Sequence, residues 1–310
     1  MKWAVLGAGA LGCAIGGVLT EAGHEVWLIN RHADQVQRLN QQGLVLRAGG
    51  LDRTVRVRAA THAAAVGAVD VVIVLVKSFH TREAMASATA LVGPQTVVIS
   101  LQNGLGHEAV LAEVVGPGPV MAGKTYVGGT LLGPAHVLAG TAGKETLIGE
   151  LDGTLSDRAL RIGRALNEAG LITTVSDRIV GVMWDKLLVN VATGALSGIT
   201  RLTYGDLYQV PEIAATAQAA VAEAMAVASA LGIALNVDQP HQPWDKAAQG
   251  LPPAFKASLL QSLEKGSVTE IDFINGAVCR YGRQCGVPTP VNDTLVAAVK
   301  GLERGLRPAS

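Results

Sequence analysis

The chain has 310 residues, 49% of them hydrophobic and 16% charged, with 25 basic side chains balancing 25 acidic ones. That length exceeds one average domain and predicts two, while a zero net charge argues against the basic field that nucleic acid or an anionic membrane surface would require. Three cysteines without CxxC spacing and seven histidines without an HxxxH or HExxH pair argue against a disulfide framework or a metal site, so a small-molecule protein of the reducing cytoplasm is expected.

In chain order, residues 1–6 read as an apolar strand that runs into GAGALG at Gly7–Gly12, and residues 10–22 as a helix with Gly12, Gly16 and Gly17 on its packing face. Strand, glycine turn and helix in that order predict a Rossmann-type dinucleotide-binding domain. Gly7 allows the tight turn, Gly9 lets backbone N–H groups approach a pyrophosphate, and Gly12 lets the helix pack on the strand. Gly7, Gly9, Ala10, Leu11 and Gly12 are therefore expected to contact the cofactor, with the helix N-terminus attracting its anion. Lys2 followed by a mostly apolar stretch to Leu19 also fits a secretory leader, but the dense glycine pattern favours the phosphate turn.

The second strand, residues 25–29, ends at Asn30, Arg31 and His32. A carboxylate at this point would hydrogen-bond the ribose 2′-hydroxyl of NAD, whereas a cation without a nearby anion suits the 2′-phosphate of NADP(H). Arg31 is the expected phosphate clamp and Asn30 its neutral neighbour; Arg31 as a solvated loop residue is the competing reading. Next, Val69–Val76 is a run apolar on both faces, as in a parallel strand covered on two sides, and ends at Lys77. Such runs fall well short of bilayer thickness, so no membrane span is expected.

A helix over 81–91 and a strand over 96–100 lead to Asn103, which like Lys77 is placed at the carboxyl end of a strand, where open α/β sheets bind ligands. Between 120 and 150, strand candidates near 125–128, 135–138 and 145–148 predict an antiparallel extension of the sheet. A helix over 157–169 and a strand over 171–175 follow. Beyond Ser176 the patterns are helical (178–196, 211–231, 253–265, 269–283 and 290–304). Residues 1–175 are thus expected to bind NADP(H) and residues 176–310 to form an all-helical substrate and catalytic domain, whose long apolar helices fit either a homodimer face or a core.

Between Ile179 and Ala192 only Asp185, Lys186 and Asn190 interrupt an apolar or glycine run. A helix hydrophobic nearly all round is expected to be buried, and Lys186 and Asn190, four apart, share a face. A lysine whose pKa is lowered by burial can protonate the oxygen of a ketone under reduction; a packed stem with a solvated or paired ammonium is the alternative. Glu270 is a candidate to hold a substrate hydroxyl or tune the lysine, or it closes a capping box with Ser267. Thr289 and Pro290 read as the cap and first residue of the last helix.

GAGALG, Val76 with Lys77, LQNGLG at Leu101–Gly106, WDKLLVN at Trp184–Asn190, SLLQ at Ser258–Gln261, TEIDFING at Thr269–Gly276 and GVPTPVN at Gly286–Asn292 together resemble the ketopantoate reductase (2-dehydropantoate 2-reductase) family, over essentially the whole chain. The resemblance implies NADPH-dependent reduction of 2-dehydropantoate to (R)-pantoate in pantothenate synthesis. It implies Lys186 as general acid and Glu270 as the residue that binds the substrate hydroxyl and supports the catalytic arrangement beside the cofactor. Asn103, Asn190 and Ser258 would hold the substrate or the nicotinamide end of the cofactor, and Arg31 and Lys77 would contact the cofactor phosphate.

Three positions depart from the family pattern. Gly194 stands where an asparagine often falls one turn beyond the Lys186–Asn190 pair, Ser262 replaces a common carboxylate, and His80 replaces a common glutamine. The first two changes leave room for a reductase of another branched or bulky 2-oxo acid, because a site that lacks a polar partner discriminates less. A non-catalytic NADP(H) sensor is a further reading, against which Lys186, Asn190, Ser258 and Glu270 all argue.

Overall fold

The computed structural model describes residues 1–306; residues 307–310, the tail of the expected helical domain, lie outside them. The chain divides into two compact units, one comprising residues 1–102 and 107–179, the other residues 103–106 and those from Val180 onward.

In the first unit, β1 (Lys2–Leu6) sends Trp3 and Val5 into one buried cluster and Ala4 and Leu6 into another, so both faces of its sheet are covered. Helix α1 (Ala10–Glu21) leads to β2 (Glu25–Ile29), and α2 (Ala33–Gln42), β3 (Leu44–Ala48), β4 (Leu51–Val55) and β5 (Arg58–Ala60) follow. Strand β6 (Val69–Val74) alternates as β1 does, with Val71 and Ile73 on one face and Val72 and Val74 on the other. The rest of the unit comprises α3 (Thr81–Ala86), β7 (Val92–Ser100), α4 (His107–Val115), β8 (Val120–Thr125), β9 (Gly128–Gly133), β10 (His136–Gly140), β11 (Thr146–Gly149), α5 (Asp157–Glu168) and β12 (Thr173–Val175).

Eight strands form one sheet in the order β12-β11-β8-β7-β6-β1-β2-β5. From β8 to β5 every neighbour is parallel. The chain winds outward through β2 on one side of β1 and through β6, β7 and β8 on the other, so the order reverses between β1 and β6. In open α/β sheets this switch point carries the ligand crevice at the carboxyl ends of the strands.

The 120–150 region meets expectation only in part. Strand β11 pairs antiparallel with β8 and extends the sheet. Strands β9 and β10 instead join a separate four-stranded sheet, β4-β3-β10-β9, with β10 parallel to β3. The reason is apolar cover: Val137 of β10 and Leu44 and Leu46 of β3 are buried in the same cluster as Ile15 and Leu19 of α1.

The second unit is helical among its described residues: α6 (Ile179–Thr200), α7 (Tyr204–Leu207), α8 (Pro211–Ala230), α9 (His241–Ala247), α10 (Ser258–Glu264), α11 (Asn275–Cys285) and α12 (Pro290–Gly305). By length and composition α6 and α8 could each cross a membrane, but α6 is two-thirds buried and α8 packs against α9, α11 and α12.

Three details differ from the expected helices. Residues 253–257 stay out of α10 because the Pro253 and Phe255 carbonyls accept hydrogen bonds from Gly205 and Tyr204 at the start of α7, at 2.8 and 2.9 Å. The expected helix over 269–283 is broken into a 3₁₀ turn, Ile271–Phe273, and α11. Thr289 makes no capping bond to α12; the Glu223 carboxylate of α8 accepts from the Val291 and Asn292 N–H groups instead, at 2.8 and 3.0 Å, with Pro290 in the first turn as expected.

One buried ionisable pair sits at the carboxyl side of the sheet. Lys124 on β8 is only 2% exposed, with Nζ 3.5 Å from the Gln102 carbonyl oxygen, and Glu108 in the first turn of α4 is 7% exposed. Burial pushes the Glu108 carboxyl up from 4.5 to about 7, partly opposed by the charge of Lys124. The folded protein therefore holds this proton between pH 4.5 and 7 where the unfolded chain has released it, and stability falls as pH rises through that window. Urea unfolding across the window should show a decline of about 3 kcal/mol in wild type that Glu108→Gln lacks; parallel curves for the two proteins would contradict a buried proton at Glu108.

Candidate active site

The glycine turn lies at the end of β1. A β-carbon at Gly12 would stand 2.1 Å from the Gly7 carbonyl oxygen, so only glycine lets α1 start this close to the strand. At Gly9, by contrast, no atom lies within 4 Å of where a β-carbon would be, and the residue is exposed. The first N–H groups of α1 have no partner within the helix, and its first turn holds no acidic residue. An open cradle of N–H donors with no opposing carboxylate fits a pyrophosphate, with Gly7, Gly9, Ala10, Leu11 and Gly12 forming its wall.

The neighbouring strand ends brace this turn. Asn30 Nδ2 donates to the Ala8 carbonyl at 3.2 Å while its Oδ1 accepts from the His32 N–H at 3.0 Å, so Asn30 ties the end of β2 to the glycine turn. Arg31 beside it is exposed. Across the switch point, Lys77 is exposed just beyond β6. The turn that carries it is fixed by Gln102, whose Nε2 donates to the Val76 carbonyl at 2.7 Å and to Thr81 Oγ1 at 2.9 Å.

In the second unit α6 is less buried than its sequence predicts. Val182, Asp185, Lys186, Val189 and Asn190 form a half-buried stripe on an otherwise buried middle. Asp185 accepts from the Asn236 backbone N–H at 2.9 Å and from Asn236 Nδ2 at 2.7 Å, so its carboxylate anchors the 232–238 segment. Gly194, on the same face one turn beyond Asn190, is buried yet has no atom within 4 Å of a β-carbon position. Ser258 is exposed at the first position of α10, and its carbonyl accepts from the Ser262 hydroxyl at 3.1 Å, which directs Ser262 into its own helix.

Glu270 is half-buried just before the 3₁₀ turn. The serine half of the expected capping box does not form, because no helix starts directly after Ser267, whose N–H and hydroxyl both donate to the Ser262 carbonyl, at 3.0 and 2.9 Å. Asn103, also half-buried, belongs to this second unit: Leu105 N–H donates to the Phe273 carbonyl at 2.9 Å, which lays the Asn103–Gly106 segment on the turn that follows Glu270. Trp184 of α6 meets Tyr281 of α11 with ring centroids 5.8 Å apart.

The expected residues thus fall into two sets. Gly7, Gly9, Ala10, Leu11, Gly12, Asn30, Arg31 and Lys77 belong to the first unit, whereas Asn103, Lys186, Asn190, Ser258 and Glu270 belong to the second. Sequence reasoning missed Gln102, Lys124 and Glu108. A lysine inside the apolar run of β8 was the available signal for Lys124. Among the described residues no group of three His, Cys, Asp or Glu side chains could hold a metal ion.

Comparison with known proteins agrees over the full length. Residues 3–153 match the family described as Ketopantoate reductase PanE/ApbA, and residues 178–303 match its C-terminal domain. The 2-dehydropantoate 2-reductase of Halobacterium salinarum is 32% identical over 308 residues, covering 98% of this chain and 99% of that protein. The enzyme of the same name from Archaeoglobus fulgidus is 32% identical over 302 residues, covering 97% and 98%. Among solved structures, a PanE/ApbA family ketopantoate reductase from Ralstonia eutropha superposes with a TM-score of 0.90 at 34% identity, covering 99% of both chains. A D-mandelate dehydrogenase in ternary complex with NADH and anilino(oxo)acetate also gives 0.90, at 28% identity and 99% of both chains. With the glycine turn at a parallel-sheet switch point, the helical second unit and these full-length matches, the chain belongs to the ketopantoate reductase family of oxidoreductases.

Proposed function

We propose that this protein reduces 2-dehydropantoate to (R)-pantoate with NADPH, a step of pantothenate synthesis in the cytoplasm. The observation that carries the reading is the half-buried pair Lys186 and Asn190 on one face of a helix that is otherwise apolar there. When bound, the cofactor supplies a hydride for the ketone carbon. Lys186 gives the proton that the ketone oxygen needs as it becomes a hydroxyl. Asn190, Asn103 and Ser258 orient the substrate by hydrogen bonds, and Glu270 accepts from the substrate hydroxyl and supports the lysine. Half-burial keeps Lys186 close enough to solvent to regain its proton between turnovers.

The preference for NADPH over NADH rests on Arg31. It is an exposed cation at the end of β2, where an NAD-specific site has a carboxylate and this chain has Asn30, already engaged with Ala8 and His32. Lys77 adds a second exposed cation across the switch point.

A second reading keeps the chemistry and changes the acid. The open, buried space at Gly194 and the likeness to a D-mandelate dehydrogenase that binds anilino(oxo)acetate favour a 2-oxo acid with a bulkier substituent. Ser262 does not bear on this choice, since its hydroxyl is satisfied within α10.

Lys186→Ala should lower turnover by roughly two to four powers of ten while NADPH affinity, read by fluorescence titration, stays near wild type; unchanged turnover would remove Lys186 from the mechanism. Loss of charge-assisted bonds to a 2′-phosphate in Arg31→Ala should weaken NADPH by about 10- to 100-fold and leave NADH nearly unaffected. Equal weakening of both would make Arg31 a general loop residue.

A further inference from the structure

We propose that Gly104 is a positioning residue, which lets the Asn103–Gly106 segment lie directly on the Phe273 carbonyl and so sets Asn103 against Glu270; the inference rests on the roles given to those two residues above. Gly104 has φ of +92°, and a β-carbon there would stand 2.3 Å from the Phe273 carbonyl oxygen and 2.8 Å from its carbonyl carbon. These are backbone atoms, which cannot swing aside as a side chain would. The approach is used at once, because the next residue, Leu105, donates its N–H to that same oxygen at 2.9 Å. Phe273 in turn donates its own N–H to the Glu270 carbonyl at 3.0 Å. Two hydrogen bonds and the backbone of the single residue Phe273 therefore link the residue after Gly104 to the backbone of Glu270.

This linkage also accounts for the broken helix over 269–283. Had residues 269–283 formed one continuous helix, the Phe273 carbonyl would be turned into its own i to i+4 ladder. The 3₁₀ turn ends at Phe273, and its carbonyl accepts from Leu105. Arg280 supports the same junction: its Nη1 donates to the Asp272 carbonyl at 3.3 Å, and Nη2 lies 3.1 Å from the β-carbon position of Gly106. None of these groups needs to touch the reactants. Their effect is to hold two polar side chains at a set separation, and a misplacement on the order of 1 Å can cost about 100-fold in rate.

The test is Gly104→Ala in the full-length protein, assayed with NADPH and the 2-oxo acid that wild type reduces fastest, together with amide hydrogen exchange. The expected result is a fall in kcat of about 10- to 100-fold, with NADPH affinity changed less than about threefold because the glycine turn and Arg31 are untouched. Exchange should speed up at 103–106 and 270–274 and stay at wild-type rates in the central strands. Arg280→Gln loosens the junction without backbone strain and should give a smaller fall in kcat with the same local exchange pattern. Faster local exchange with unchanged kcat would overturn the positioning role. If Gly104→Ala loses protection throughout the chain, Arg280→Gln decides, and wild-type kcat in that variant overturns the proposal. A wild-type protein inert towards every 2-oxo acid would overturn the proposed function, and the positioning role with it; an active wild type with an unaffected Gly104→Ala overturns the positioning role alone.

Discussion

A methyl group on residue 12 would sit 2.1 Å from the Gly7 carbonyl oxygen, and the organisation of the first unit follows from the absence of that methyl. Because α1 can begin hard against the end of β1, its N–H groups converge on the open space beside Gly9 and its apolar side packs on the sheet. The end of β2 is drawn in through Asn30 and Ala8, while β9 and β10 leave the main sheet and, with β3 and β4, cover the other side of α1. That cover is as close as the first contact, since a β-carbon at Gly129 would stand 2.7 Å from the backbone of Ala10. A larger residue at position 12 would move the helix start and every donor on it.

The second unit solves the complementary problem of holding polar groups on an apolar helix. Helix α6 has its buried sides occupied by Leu187, Leu188, Val191 and Ala195, and its first half is held by Asp185 to Asn236 and by Trp184 to Tyr281. Only the stripe that includes Lys186 and Asn190 remains half-open. A polar group whose backbone sits on a rigid, well-packed helix is held near one position, as the proposed proton transfer from Lys186 requires. The same stripe continues to Gly194, which is buried and has no atom within 4 Å of a β-carbon position.

Much of this was legible in the sequence, for identifiable reasons. The GAGALG turn, the β6 run and the Lys186–Asn190 pair announce themselves because each is a local pattern: glycine spacing, two-faced apolarity, and charge inside a hydrophobic helix. The second sheet was not legible, since its partners β3 and β10 are separated by about 90 residues and no short-range periodicity encodes a parallel pairing at that distance. Thr289 stands at the N-cap of α12 as its sequence predicts, but the bonds its side chain was expected to make were not legible for a similar reason, as the Glu223 carboxylate that accepts from the first N–H groups arrives from a different helix. The break before α11 depends on Leu105, far away in the chain, which bonds the Phe273 carbonyl that a continuous helix would need. Where the determinant is a tertiary hydrogen bond, propensity alone favours the longer helix.

The most direct test of the account is the initial rate of NADPH oxidation by the purified protein with 2-dehydropantoate, run beside pyruvate, 2-oxoisovalerate, 2-oxoisocaproate and phenylglyoxylate. Saturable oxidation of NADPH is expected, with kcat/KM highest for 2-dehydropantoate. Oxidation with none of the five acids would contradict it, and a higher kcat/KM for phenylglyoxylate would retain the 2-oxo acid chemistry while assigning the space at Gly194 to a bulkier substrate.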